Sequence, residues 1–330
     1  MKRIASFLLA LALAFSLTAC TVPAEKADDG KIQIVATLFP YYDFARAIVG
    51  NRADVTLLLS PGREAHSFEP TPLDAVTISE ADVFLYNGGE GEYWVDSMLD
   101  AAGENIAVIA RMMDYVDALD EEYVEGMQGA DGHDHDHDDH DHDHEEDEHD
   151  SDEVEYDEHI WTSPKNAVVL CRAVCEAICK ADPANEDFYR ANCDDYCAQI
   201  EALDARFASL CESAPRKLLV FADRFPMLYF CREFDLDYRA AFHGCSGDTE
   251  PSLATIKFLI DKVEDESIPV VYTIDFGTKK VAAVVSECTG AAVDTLYSMQ
   301  TVSRADFDAG ETYLTLMERN YEALRKGLNE

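Results

Sequence analysis

Histidine and acidic residues alternate through a twenty-residue tract at residues 131–150, in which seven side chains are His and twelve are Asp or Glu. Imidazole and carboxylate groups are both ligands for divalent cations such as zinc. Because the tract has no apolar surface to bury, we expect a mobile loop that collects metal by many weak contacts. A solvated acidic linker is the alternative interpretation. The tract histidines are His133, His135, His137, His140, His142, His144 and His149.

Three histidines remain outside the tract, namely His66, His159 and His243. His66 follows a predicted strand, His159 lies between the tract and a predicted helix, and His243 follows another predicted strand. Side chains at strand ends and in loops are where binding sites are commonly built. The three positions therefore predict a small fixed metal site, although a lone loop histidine is often only a surface residue.

The charge of the chain limits its partners. The 330 residues carry a formal net charge of −40 at pH 7. Such a field repels nucleic acid and attracts cations, so we expect no nucleic-acid partner. The length is sufficient for two domains with cores of their own.

The N-terminus has the pattern of an export signal. Lys2 and Arg3 precede an apolar run at residues 4–17, which is too short for a stable membrane span. The run ends in Leu-Thr-Ala-Cys at Cys20, which resembles the lipobox of bacterial lipoproteins. That resemblance implies cleavage before Cys20, attachment of lipid to its thiol, and a mature protein anchored outside the cell membrane. An ordinary signal peptide with an incidental cysteine is the alternative.

Five cysteines recur at intervals of four residues in two groups, which places each group on one face of a predicted helix. Export favours disulfides between the two faces, for example Cys179 with Cys193, whereas a reducing habitat would leave small buried core residues. A cysteine-only zinc site is disfavoured because the chain has no CxxC pair. The two groups are Cys171, Cys175 and Cys179, followed by Cys193 and Cys197.

Predicted strands and helices alternate along most of the chain, which is typical of a parallel α/β sheet. We predict an α/β fold with two lobes, each with a parallel sheet, joined by one long rigid helix, with the ligand cleft between the lobes. A single terminal helix is predicted over residues 307–328. The predicted segments are a signal peptide at 1–19, a lipid-anchored tether at 20–30, a first lobe at 31–184, the linking helix at 185–213 and a second lobe at 214–330.

Several motifs carry a family resemblance. The segments PGREAHSFEPTP, EHIW and LFPYYDFARAIVG, together with the lipobox, resemble the metal-binding lipoproteins of bacterial ABC importers, most closely the zinc type. The resemblance implies one divalent cation held between two lobes. It also implies delivery of that ion to a membrane permease driven by a cytoplasmic ATPase.

The resemblance identifies two of the four ligand positions directly and the other two less clearly. His66 and His159 match the family's first two ligands, and the third falls near Asp223, which could supply a carboxylate oxygen or instead pair with Arg224 or cap a helix. The fourth falls at residues 296–299, which offer no good ligand, so His243, Glu64 or water would complete the sphere. Zinc is the expected ion and manganese the alternative. A zinc hydrolase and a surface adhesin or passive metal store remain the competing functions.

Overall fold

A computed structural model describes residues 30–63, 67–103, 106–128, 155–246 and 250–329. The signal segment with Cys20, His66 and the histidine-rich tract all lie outside these ranges. Residues Ile32–Glu330 form one compact unit. Within the described part of the chain, no helix is both long and apolar enough to cross a membrane.

The first half is a four-stranded parallel sheet with order β2-β1-β3-β4 and helices between its strands. Its two central strands are apolar and mostly buried, as expected where a parallel sheet is covered on both faces, whereas its edge strands are partly exposed. The elements are β1 (Gln33–Ala36), α1 (Phe39–Val49), β2 (Asp54–Leu57), α2 (Pro72–Ser79), β3 (Val83–Tyr86), α3 (Val95–Ala102) and β4 (Val108–Arg111).

Two long helices, α4 (Pro164–Ala181) and α5 (Glu186–Ser213), form a hairpin between the halves. The second half repeats the plan as a parallel sheet with order β6-β5-β7-β8. Its elements are β5 (Leu218–Phe225), α6 (Leu228–Phe234), β6 (Asp237–His243), α7 (Leu253–Asp265), β7 (Val270–Ile274), α8 (Lys280–Thr289), β8 (Ala292–Leu296), α9 (Arg304–Ala309) and α10 (Tyr313–Asn329).

The larger of two hydrophobic cores extends through both halves, from Ile34 in β1 to Leu328 in α10, and a smaller one lies between the second sheet and helices α7 and α8. Asp43 of α1 links three helices within this shared core. Its Oδ2 accepts hydrogen bonds from the Tyr196 hydroxyl at 2.5 Å and the Tyr313 N–H at 2.9 Å. Three helices from different parts of the chain therefore meet at one buried carboxylate. The predicted α/β fold with two parallel-sheet lobes is confirmed.

Local signals explain which helix boundaries were predictable. Helix α2 begins where expected because Thr71 and Asp74 form a capping box around its first turn. Ser163 caps α4 through a hydrogen bond from the Asn166 N–H, as its position before Pro164 indicates.

The single terminal helix predicted over residues 307–328 is wrong. Ser303 caps a separate short helix, α9, and Gly310 ends it with φ at 79°, a left-handed conformation that suits glycine. A new helix, α10, then begins at Tyr313. Helix α6, which the sequence analysis missed, lies in an apolar run that has no helical period of its own.

Candidate metal site between the two halves

A short antiparallel pairing brackets the histidine-rich insertion. The Glu121 N–H donates to the Glu155 carbonyl at 2.8 Å, and the Asp157 N–H donates to the Leu119 carbonyl at 2.9 Å. Tyr229 of α6 fixes this pairing to the second half, because its hydroxyl donates to the Asp157 carbonyl and accepts from the Leu119 N–H. The chain therefore leaves for the insertion and returns from it at one fixed place.

His159 lies immediately after this pairing and is 1% exposed. Its N–H donates to Oδ1 of Asp157 at 2.7 Å, and its ring Nδ1 lies 3.2 Å from the same oxygen. Burial alone would lower the pKa of His159, but the charge and hydrogen bond of Asp157 outweigh it and raise that pKa. A carboxylate on one ring nitrogen is the usual support for a metal-binding histidine, so an ion would bind through Nε2.

His243, the last residue of β6, approaches the same place from the second half. Its Nδ1 lies 3.2 Å from Oε1 of Glu121, and that oxygen also accepts the Gly244 N–H at 2.7 Å. Burial tends to raise the pKa of Glu121, but the neighbouring imidazoles of His243 and His159 hold it below its usual value. Glu121 and His243 thus form a largely buried acid–base pair.

Gly244 lies between the pair formed by His159 and Asp157 and the pair formed by His243 and Glu121. A Cβ at this position would lie 3.2 Å from both Oδ2 of Asp157 and Cε1 of His159, and 2.8 Å from the Phe225 carbonyl. Because only hydrogen occupies that space, β6 can approach His159 closely. A larger residue would push the halves apart at this point.

A crevice opens beside His159 at the carboxyl ends of β5 and β7. Its lining includes Arg224, Gly244, Asp275 and Gln300. Asp275 directly follows β7, and its Oδ1 accepts the Ser298 N–H at 3.2 Å. Ligands in parallel α/β sheets bind at this edge. Its position directly after a strand is the sequence signal that identifies Asp275 as a candidate site residue.

Asp223 lies within β5, at an irregularity in the pairing with β6. Its Oδ1 accepts the Arg224 N–H at 2.9 Å and its Oδ2 the Ile274 N–H at 3.4 Å. A Cβ on Gly277 would collide with Oδ2. These contacts tie Asp223 to the turn after β7, while its neighbour Arg224 faces the crevice with His159.

Two buried carboxylate oxygens at this site have no hydrogen-bond partner among the described residues, namely Oδ2 of Asp157 and Oε2 of Glu121. Their side chains are only 1% and 4% exposed. An unpaired buried carboxylate oxygen is costly, and a divalent cation would remove that cost. The donor set of imidazole and carboxylate also suits zinc.

The site is nevertheless not closed around one point in this conformation. His159 with Asp157 and His243 with Glu121 form two separate pairs. We looked for three His, Cys, Asp or Glu side chains whose ligand atoms lie within 4.8 Å of one another. Over the described ranges, only Cys171, Cys193 and Cys197 meet this condition. An ion at the cleft therefore requires small movements of the two pairs or a further ligand such as His66.

Glu92 is a second buried acid near this edge, in the turn after β3. Its Oε2 accepts the Gly88 N–H at 2.8 Å, while its Oε1 is buried without a partner among the described residues. Burial raises the pKa of Glu92 to about 7. Since the folded state keeps this proton to higher pH than the unfolded state, the stability contributed by Glu92 falls as pH rises from about 4.5 to about 7.

Glu92→Gln is therefore expected to stabilise the protein above pH 7 and to have little effect near pH 4. At about 1.4 kcal/mol per pKa unit, the difference between 4.5 and about 7 sets an upper limit of about 3 kcal/mol. Denaturant unfolding at pH 4 and pH 8 measures the effect. Glu90→Gln, at an exposed position two residues earlier, is the matched control. Equal stabilities of Glu92→Gln and the parent at pH 8 would contradict the prediction.

The family model "ZnuA: Zinc-uptake complex component A periplasmic" matches residues 34–327. The chain is 30% identical to the high-affinity zinc uptake system protein ZnuA of Bacillus subtilis over 298 residues, which cover 90% of this chain and 88% of that protein.

A second relative is longer. The chain is 30% identical to the zinc-binding lipoprotein AdcA of Streptococcus pneumoniae over 99% of its own length but only 61% of that protein's length. The crystal structure of the Zn(II)-bound ZnuA-like domain of that AdcA superposes with a TM-score of 0.72 at 25% identity, covering 91% of this chain and 100% of that domain.

Proposed function

Because the chain belongs to the ZnuA family of periplasmic zinc-uptake components, we propose that it is the extracytoplasmic zinc-binding component of an ABC importer. It captures a divalent cation between its two halves and delivers the ion to a membrane permease with a cytoplasmic ATPase. The protein binds and releases its ion and performs no reaction on it.

The observation that carries this proposal is the buried pairing of His159 with Asp157, next to the unpartnered Oε2 of Glu121. A carboxylate that holds one imidazole nitrogen raises the basicity of the other and fixes the ring's orientation. Negative oxygens without partners beside that ring give a cation a favourable place to bind. The halves contribute from opposite sides, so their relative movement would open the site for release.

The proposed ligands are those that the sequence indicates. His159 and His243 receive support from their burial at the junction of the halves. His66 is proposed from its motif, and it lies outside the described residues. Asp223 is proposed as an oxygen ligand from the second half, although its contacts favour a role in the turn after β7. Glu121 competes with Asp223 for that role.

Two further parts complete the proposal. The histidine-rich tract collects zinc near the cleft, since the described segments that precede and follow it pair with each other beside His159. Lipid on Cys20 anchors the mature protein to the outer side of the cell membrane. The name of the AdcA relative, a zinc-binding lipoprotein, supports this location.

Deleting residues 131–150 tests the division between collector and site. The shortened protein is expected to keep one tight zinc ion at the cleft and to lose only weakly held zinc, as measured by calorimetry and by competition with a chelator. His159→Ala in the shortened protein is the matched variant and should lose the tight ion. Loss of all tight binding on deletion alone would show that the cleft is not the site. Preference for manganese over zinc would overturn the assigned substrate.

A further inference from the structure

The hairpin of α4 and α5 brings four cysteines together in the protein interior, on two successive turns of each helix. Cys175 and Cys193 lie equally far from the turn at Pro183–Asn185, and so do Cys171 and Cys197. Because the helices are antiparallel neighbours, each such pair faces its counterpart across the hairpin. Each helix therefore contributes two cysteines that are four residues apart on its inner face.

Three of the four sulfur atoms are close enough to share one ion. The Sγ atoms of Cys171, Cys193 and Cys197 all lie within 4.8 Å of one another, and those of Cys193 and Cys197 are 3.9 Å apart. Cys175 lies one turn along α4 from Cys171 and becomes the fourth ligand if its side chain rotates toward these three sulfurs. With zinc–sulfur bonds of about 2.3 Å, sulfurs in a tetrahedral site lie about 3.8 Å apart. The cluster needs only small side-chain adjustments to reach that geometry.

We propose that Cys171, Cys175, Cys193 and Cys197 form a second metal site, a closed tetrathiolate that holds one thiophilic divalent cation such as zinc. The four side chains are at most 3% exposed, so this ion is structural and is not the transported one. Binding releases the four thiol protons to solvent and forms four metal–sulfur bonds. Cys179 lies one turn farther along α4, with its Sγ 3.9 Å from that of Cys175, and stays outside the site.

Cys193 lies at the centre of the observed sulfur contacts. Its Sγ is 3.9 Å from that of Cys197, and its thiol donates to the Cys171 carbonyl at 3.8 Å. A thiolate is the form that binds metal. The ion would also neutralise part of the charge that four buried thiolates bring together.

Competing interpretations make distinct predictions for the cysteines. Simple core packing predicts free thiols and no sulfur-bound metal. Disulfides across the hairpin predict that thiols are missing. In the structure all nine described cysteines are free thiols, and the sulfur neighbours of Cys193 include Cys171 and Cys197. Cys179, which the sequence analysis gave as a possible disulfide partner of Cys193, is thus not its nearest cysteine in the structure.

X-ray absorption of the purified, zinc-loaded full chain tests the proposal. We expect a zinc–sulfur shell at about 2.3 Å that persists after a chelator has removed the cleft ion. Cobalt substitution should give the thiolate-to-cobalt charge-transfer band. The double variant Cys193→Ser, Cys197→Ser should lose this shell and one retained ion per chain. The control, Cys211→Ser with Cys231→Ser, removes two buried cysteines outside the cluster and should keep both.

The outcome does not depend on the transport proposal. His159→Ala should leave the sulfur shell intact, so failure at the cleft and failure at the cysteines are distinguishable. Thiol titration of the denatured parent, with chelator and without reductant, should count all nine cysteines at positions 171–288. Four missing thiols would establish disulfides and overturn the metal site. Nine thiols without a zinc–sulfur shell in the parent would also overturn it, whether or not the variants fold.

Discussion

His159→Ala is expected to weaken tight zinc binding by about 100-fold or more. Loss of a group that only supports a ligand typically costs 10–100-fold, and the ligand itself should cost at least as much. His159 is only 1% exposed and lies against Asp157, Trp161 and Gly244, so its ring is largely shielded from bulk water. Competition with a chelator of known zinc affinity, at neutral pH and fixed ionic strength, measures the loss.

Two companion variants sharpen this result. Asp157→Asn keeps the shape of the supporting side chain and removes its charge, so affinity should fall by about 10–100-fold. His133→Ala removes one of seven tract histidines and should leave the tight constant unchanged. An unaltered constant in His159→Ala, with normal folding by circular dichroism, would remove His159 from the ligand set.

Trp161→Ala is expected to destabilise the folded protein by about 3–5 kcal/mol. The indole is completely buried, its Nε1 donates to the Ser298 carbonyl at 2.7 Å, and the Tyr313 hydroxyl donates to the Trp161 carbonyl at 2.9 Å. The ring also packs edge-on against Tyr41. Truncation would leave a large cavity where the insertion returns to the core, which denaturant unfolding would detect.

Trp161→Phe separates packing from hydrogen bonding. The smaller ring keeps most of the apolar contact but leaves the Ser298 carbonyl without its indole donor, which should cost about 1–3 kcal/mol beyond the volume change. An unfolding midpoint for Trp161→Ala equal to that of the parent would mean that the two halves do not depend on this contact.

The fold was predictable because local and periodic signals agreed with it. Alternating apolar strands and amphipathic helices specify a parallel α/β plan, and caps such as Thr71 and Ser163 mark helix starts directly. At Gly310 the apolar pattern of the sequence and the local backbone disagree. The apolar period of α10 extends across it, and only its left-handed backbone shows that the chain breaks there.

The site was predictable only in part. His159 follows from its motif, because the resemblance is carried by adjacent residues. Glu121 was not identifiable, since its place beside His243 depends on a backbone pairing between segments separated by the whole insertion. The cysteine cluster shows the same limit. The absence of a CxxC pair argued against a thiolate site, whereas a helical hairpin joins two CxxxC pairs that are distant in sequence.

The antiparallel pairing around the insertion has a consequence for how such proteins change over time. Its hydrogen bonds connect Glu121 with Glu155 and Asp157 with Leu119, and none of these four residues belongs to the histidine-rich tract. Residues can thus be added to the tract, or lost or exchanged within it, without altering any hydrogen bond of this pairing. The pairing therefore sets no requirement on the length or composition of the tract, whereas it does hold Glu121 and Asp157 beside His243 and His159.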